Sequence, residues 1–183
     1  MPETPQPTWR RWLRPLLAGV LVVILNVVAY LLIPVDLAQR LGAFGYLGAF
    51  AVAAVANATV VVPVPYFGVL AVLGAALNPW GVVLAAAAGS ALGESVAFFV
   101  GRSGKSAAAE TRFYRWVQGQ LRTRWRAGLV LFLLSAPPNP AFDVAGLLAG
   151  ALGVPLWLFL LAVFLGRIIR MALVVFGVPL FTS

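Results

Sequence analysis

Four ionisable side chains sit inside apolar sequence. Glu94 lies well within the run 81–101, and Arg167 and Arg170 lie well within 156–176. Asp143 follows Pro138-Asn139-Pro140 by three residues. A charge at the centre of a membrane span costs about 2.5–3.5 kcal/mol on insertion scales. Such residues face a polar interior and mark the path of an ion or polar group. Two acids and two bases can neutralise one another, most simply as Glu94 with Arg167 and Asp143 with Arg170. An ion pair of this kind either lines a transport path or acts as a static clasp that orients packing. Asn139-Pro140 also has the form of a helix start, with Asn as N-cap and Pro at the first helical position. A helix beginning at membrane depth aims free N–H groups and a positive dipole end into the site, where an anionic head group fits. Asp143, in the first turn, is the alternative partner of that dipole.

The prolines are doubled. Pro63-Val64-Pro65-Tyr66-Phe67-Gly68-Val69 is followed, at one fixed offset, by Pro138-Asn139-Pro140-Ala141-Phe142-Asp143-Val144. The match continues to Leu73 and Leu148, Ala76 and Ala151, Leu77 and Leu152. Proline removes a backbone donor and breaks a helix, and lipid cannot satisfy the carbonyls that are freed. Broken helices at corresponding positions of two halves point to a transport site at their junction. Pro63, Pro65, Pro138 and Pro140 therefore join Asn139 and the four charges as the expected substrate path. Gly93-Glu94 and Gly166-Arg167 occupy near-equivalent places in the two halves.

Composition narrows the chemistry. Of 183 residues, 62% are apolar and 10% charged, against roughly half and a quarter in soluble domains, so the chain is an integral membrane protein. It has no Cys and no His, and five acids in all. Disulfides, thiol catalysis, His-ligated metals and Ser-His or Cys-His hydrolases are excluded. We expect no enzyme, no cofactor and no metal site. The net charge is +8, but its placement reports orientation rather than nucleic-acid binding. Arg10, Arg11 and Arg14 precede the first apolar run, and seven Lys/Arg residues crowd 102–126. Basic loops mark the cytoplasmic side.

These features set an order of elements. Residues 1–12 are expected to be a cytoplasmic tail, and 13–183 one membrane domain. The first span covers about 13–33 and is a retained anchor, too long for a signal-peptide core; Asn26 is its one polar side chain between Arg14 and Tyr30. Residues 34–40 read as a short outside loop. The first repeat, about 42–101, is a re-entrant hairpin tipped at Pro63–Pro65 and then a span crossing back inward. Residues 102–126 form a basic cytoplasmic linker with an amphipathic helix on the anionic leaflet, on which Arg102, Arg112, Arg115 and Arg122 meet the membrane surface. The second repeat, about 127–176, runs in the opposite sense, with its hairpin tipped at 137–140. The tips are expected to meet near the midplane. Gly89 and Gly93 put small residues on one helix face for close packing. Trp80, Trp157 and Tyr30 are expected in interfacial belts, and Asn78-Pro79 as a plain helix cap.

The run Gly89-Ser90-Ala91-Leu92-Gly93-Glu94, with Phe98 and Gly101-Arg102 after it, resembles the Gly-x-x-x-Gly-Asp…Tyr-x-x-Gly-Arg motif of DedA/VTT (SNARE-associated Golgi protein) membrane proteins. The segment Pro137 to Gly146 and the later Gly166-Arg167 resemble the second half of that domain. The likeness covers roughly 63–176. It implies two opposed re-entrant hairpins and movement of lipid between leaflets. Bacterial members of the family are linked to undecaprenyl phosphate recycling and proton-coupled transport, and eukaryotic members are phospholipid scramblases. Glu94 falls on the family's acidic site and Arg102 on its motif arginine. Many bacterial members carry an acid after the first tip, where this chain has Tyr66, Phe67 and Gly68, and an Arg pair near the second, where it has Ser135 and apolar residues.

The expectation is an all-α polytopic membrane protein: an inverted repeat of re-entrant helical hairpin plus transmembrane helix, preceded by an N-terminal transmembrane helix. Its expected task is to move an anionic lipid, glycerophospholipid or undecaprenyl phosphate, between leaflets. The expected place is the bacterial inner membrane, with the N-terminus cytoplasmic. The expected partners are membrane lipids, without nucleic acid and with homo-oligomerisation left open. The alternatives are a proton-coupled small-solute transporter and a non-transporting membrane scaffold.

Overall fold

Among the described residues the apolar sequence forms helices joined by short turns, with no strand. A computed structural model describes residues 9–58, 66–103, 112–137 and 141–182. Among them run α1 (Trp9–Leu32), α2 (Val35–Leu41), α3 (Phe44–Ala58), α4 (Tyr66–Ala76), α5 (Pro79–Arg102), α6 (Arg112–Leu121), α7 (Arg124–Ser135), α8 (Ala141–Ala151) and α9 (Leu156–Thr182). Pro79–Arg102 and Leu156–Gly177 are long and apolar enough to cross a membrane. Gly19–Leu32 and Val35–Leu41 form a third apolar unit bent by 76°. The chain is an all-α polytopic membrane protein.

Local chemistry sets the ends of these helices. Asn78 caps α5, its Oδ1 accepting the Gly81 N–H at 3.1 Å, with Pro79 in the first turn. At the end of α8, Gly153 adopts φ +70°. Its N–H reaches the Gly150 carbonyl while the Val154 N–H reaches that of Ala149, so the last carbonyls are satisfied before α9 begins. Residues 34–40, expected as a loop, are instead mostly helix. Pro34 takes the extended conformation of an N-cap, and its carbonyl accepts from the Leu37 and Ala38 N–H groups. The short helix that follows ends at Gly42, whose φ of +49° suits glycine.

The helices pack as two interlocked halves. Gly81, Gly89 and Gly93 of α5 lie against Tyr46, Phe50 and Ala54 in the same chain order, so α3 and α5 run parallel. Gly128 meets Leu158, and Gly166 meets Phe132 and Ser135, so α7 and α9 also run parallel. Between the halves the sense reverses. Trp80 packs on Phe176, Glu94 on Arg167 and Phe98 on Phe159, which makes α5 and α9 antiparallel. The α4 arm packs on α9 and the α8 arm on α5, so each half lends a short helix to the other. This is an inverted repeat of helical hairpin plus long helix, with α1 laid against α4.

Two apolar cores result. One gathers Leu70, Leu73, Val82, Val83, Ala86 and Ala87 with Met171 and Val175 of α9. The other gathers Phe98, Leu131, Phe142, Leu148, Phe159 and Val163, with Val117 and Leu121 of α6. Both α5 and α9 pass from one core to the other. Part of the apolar face of α6 is thus covered by protein, because Val117 and Leu121, one turn apart, are turned onto α7 and α8. Trp116, Arg115 and Arg122 remain exposed.

Candidate functional site

The polar residues of the long helices lie where the two cores meet. Glu94 stands about 22 Å along α5 from Pro79, and Arg167 about 17 Å along α9 from Leu156, at 1.5 Å per helical residue. On α9, Val163 before Arg167 belongs to one core and Met171 after it to the other, and on α5 the change comes between Ala87 and Ala91, just before Glu94. There the Arg167 Nη2 donates to Glu94 Oε1 as a salt bridge. The side chains are 2% and 6% exposed. An ion pair this dry depends on its other hydrogen bonds to offset desolvation.

Arg167 is held on several sides. Its guanidinium carbon lies 5.2 Å from the centre of the Phe142 ring of α8, a favourable cation–π arrangement. Buried Tyr66 of α4 has Arg167, Glu94 and Asn57 of α3 as its electrostatic neighbours. Asn57 Nδ2 donates to the Ala53 carbonyl at 2.7 Å. One arginine is therefore touched by α4, α5 and α8, and through Tyr66 by α3. Its Nε and Nη1 find no hydrogen-bond partner among the described residues. Buried guanidinium donors without acceptors are costly, and an oxyanion is the group that fits them.

The backbone makes room for this crossing through glycine. A Cβ on Gly93 would stand 2.3 Å from the Ala54 carbonyl oxygen, and one on Gly89 2.0 Å from that of Phe50. On the other helix, a Cβ on Gly166 would stand 1.8 Å from Ser135 Oγ. Ser135 is itself fully buried and donates to the Phe132 carbonyl at 2.8 Å. The glycines before Glu94 and Arg167 thus let each long helix approach its own hairpin. Ser90, one turn before Glu94, is also fully buried, and its hydroxyl lacks a partner among the described residues.

The remaining expected site residues divide into three groups. Arg170 lies one turn beyond Arg167 with its guanidinium 5.7 Å from the Phe67 ring centre, and its Nε finds no partner among the described residues. Asp143 is in the first turn of α8, but its side chain lies outside the described residues, and with it the expected pairing to Arg170. Pro63, Pro65, Pro138, Asn139 and Pro140 also lie outside them, as does the side chain of Arg112. Arg102, Arg115 and Arg122 are exposed and away from the crossing. Sequence reasoning passed over Tyr66 and Asn57. A tyrosine and an asparagine just outside the first Pro-x-Pro segment were the only signal available.

The VTT domain family matches residues 64–179, which is more than half of the chain and takes in α4 through most of α9. The chain belongs to the VTT domain family. It is also similar to "Vacuole membrane protein KMS1" of Arabidopsis thaliana, with 44% identity over 39 residues, 21% of this chain. The matched stretch spans 9% of the length of that relative. No solved structure matches the chain.

Proposed function

We propose that this VTT-domain protein carries anionic lipid between the leaflets of the membrane, with the head group passing the helix crossing and the tails remaining in lipid. The supporting observation is Arg167: nearly inaccessible, set midway along a membrane-length helix, and with two donors unpartnered among the described residues. A phosphate offers the paired oxygens that a guanidinium fork takes up. Glu94, Tyr66 and Phe142 surround that arginine, and on this reading they represent the closed state of the path. Opening requires one hairpin to move away from the facing long helix. Glu94 then serves as the resident counter-ion, which a phosphate displaces and which returns once the head group has gone. Glycerophospholipid and polyprenyl phosphate share this chemistry, and a bacterial inner membrane supplies both.

The test is lipid exchange. Purified protein in vesicles with head-group-labelled phosphatidylglycerol should make the inner-leaflet label accessible to dithionite faster than in empty vesicles. Exchange no faster than in empty vesicles would refute the proposal.

The second reading is a non-transporting scaffold in which the same pair clasps two halves. The observation favouring it is the degree of closure, with both side chains almost wholly buried. It is distinguished by exchanging the two charges, as argued below.

A further inference from the structure

An apolar groove lies away from the crossing, on the second hairpin. The parallel helices α7 and α9 leave a groove of about 220 Å³ between them. Gly128 and Ala162 form its floor, since neither has a side chain long enough to fill it. Leu129 and Leu165, each about half exposed, form its walls. Arg124 and Trp125 stand at one end, the latter 81% exposed. From Arg124 to the far end of the lined stretch of α7 the groove is about 12 Å long at 1.5 Å per residue.

The chemistry changes sharply along that length. Beyond its first turn the lining is wholly apolar. At the α7 start, Arg122, Arg124 and Arg126 are all exposed, and no acidic residue occurs in the sequence between Glu110 and Asp143. α7 begins at Arg124 after Thr123, whose side chain makes no cap hydrogen bond, so the positive end of the helix lacks a side-chain cap beside the arginines. Exposed Trp125 is the residue type that settles at a head-group boundary.

We propose that this groove holds one anionic phospholipid, with an acyl chain lying between α7 and α9 and its phosphate on Arg124 and the start of α7. Glu94 and Arg167 do not line it, so it is a resident-lipid site rather than a step of the path. Charge selects the occupant. An apolar groove alone accepts any acyl chain, whereas one ending in Arg124, with exposed Arg122 and Arg126 two residues to either side in the sequence, favours a net negative head group. The bound lipid would fasten the second hairpin to α9 on its membrane-facing side.

Bromine on an acyl chain quenches a nearby indole, which gives the test. The protein is placed in phosphatidylcholine vesicles containing a minor fraction of brominated phosphatidylglycerol or, separately, brominated phosphatidylcholine. The Trp125 signal is the difference between the native protein and Trp125→Phe. Brominated phosphatidylglycerol should quench it with roughly fivefold higher apparent affinity, about what one arginine at a charged surface supplies. Arg124→Gln, at an exposed position, should remove that preference. Gly128→Leu should lower quenching by both lipids. Equal quenching by the two lipids in the native protein would overturn the proposal, as would a preference unchanged in Arg124→Gln. Protection of Trp125 from both lipids, as by a second copy of the chain, would overturn it too. Glu94→Gln should leave the preference intact even where it stops lipid exchange, so failure here and failure of the transport reading are distinguishable.

Discussion

Arg167 and Glu94 are 73 residues apart in sequence and form one buried ion pair across the antiparallel crossing of α9 and α5. Each belongs to a different half of the inverted repeat. The pair therefore does locally what the exchange of α4 and α8 does globally: it ties one half to the other.

Breaking the pair from one side should be severe. Glu94→Ala leaves a buried guanidinium without its carboxylate, for which about 3–5 kcal/mol is typical. We expect a clearly lower thermal midpoint in detergent, followed by circular dichroism. Exchanging the charges (Glu94→Arg with Arg167→Glu) should recover most of that loss while abolishing lipid exchange, because α9 then keeps only Arg170, one turn away beside Phe67. A charge-exchanged protein that still moves lipid at the native rate would place the path elsewhere and leave the pair as a clasp only.

Asn26 supplies a cap from outside the hairpin. Its Oδ1 accepts the Gly68 N–H at 3.0 Å while its Nδ2 donates to the Val22 carbonyl at 2.8 Å. The Gly68 N–H is one of the first-turn donors that α4 cannot satisfy itself. Asn26→Leu should cost about 1–3 kcal/mol and release α1 from α4. The expected readout is faster proteolysis between α1 and α3, with lipid exchange altered less than by Arg167→Ala.

The glycines should sort by what a methyl group would meet. Gly89→Ala drives a Cβ against the Phe50 carbonyl oxygen, and backbone cannot move aside cheaply. We expect a loss of about 1–3 kcal/mol, as for other overpacked sites. Gly119, within α6, has nothing within 4 Å, so Gly119→Ala should be neutral or stabilising by up to about 1 kcal/mol. Thermal midpoints of the two variants check the contrast.

Tyr66 should matter more to transport than to stability. Tyr66→Phe removes its hydroxyl from Asn57 and Arg167 at a cost of about 1 kcal/mol, yet frees another face of the guanidinium. The expectation is a small change in melting and a measurable change in the rate or lipid preference of exchange.

What the sequence made legible follows from cost. Glu94 and Arg167 stood out because a charge inside an apolar run has to be accounted for, and the repeated Pro-x-Pro segments pointed to two inverted halves. Less was visible where residues are ordinary for their surroundings. Tyr66 passes for an aromatic at the start of an apolar helix, and Asn57 for a polar residue near a break, so neither announced a place around Arg167. Pro34 looked like a loop marker, although its extended backbone and accepting carbonyl start α2. The amphipathic pattern of 112–121 was evident, but not that Val117 and Leu121 would pack on the protein rather than on lipid. Periodicity shows which face is apolar, and only the tertiary arrangement decides what covers it.

The most direct measurement is the lipid exchange rate of Arg167→Lys beside Arg122→Ala in vesicles of one composition. Lysine keeps the charge but not the planar fork. The account predicts that Arg167→Lys, folded by circular dichroism, loses most of the exchange of labelled phosphatidylglycerol while Arg122→Ala keeps it. Equal rates for the two variants and the native protein would contradict a head-group path past Arg167.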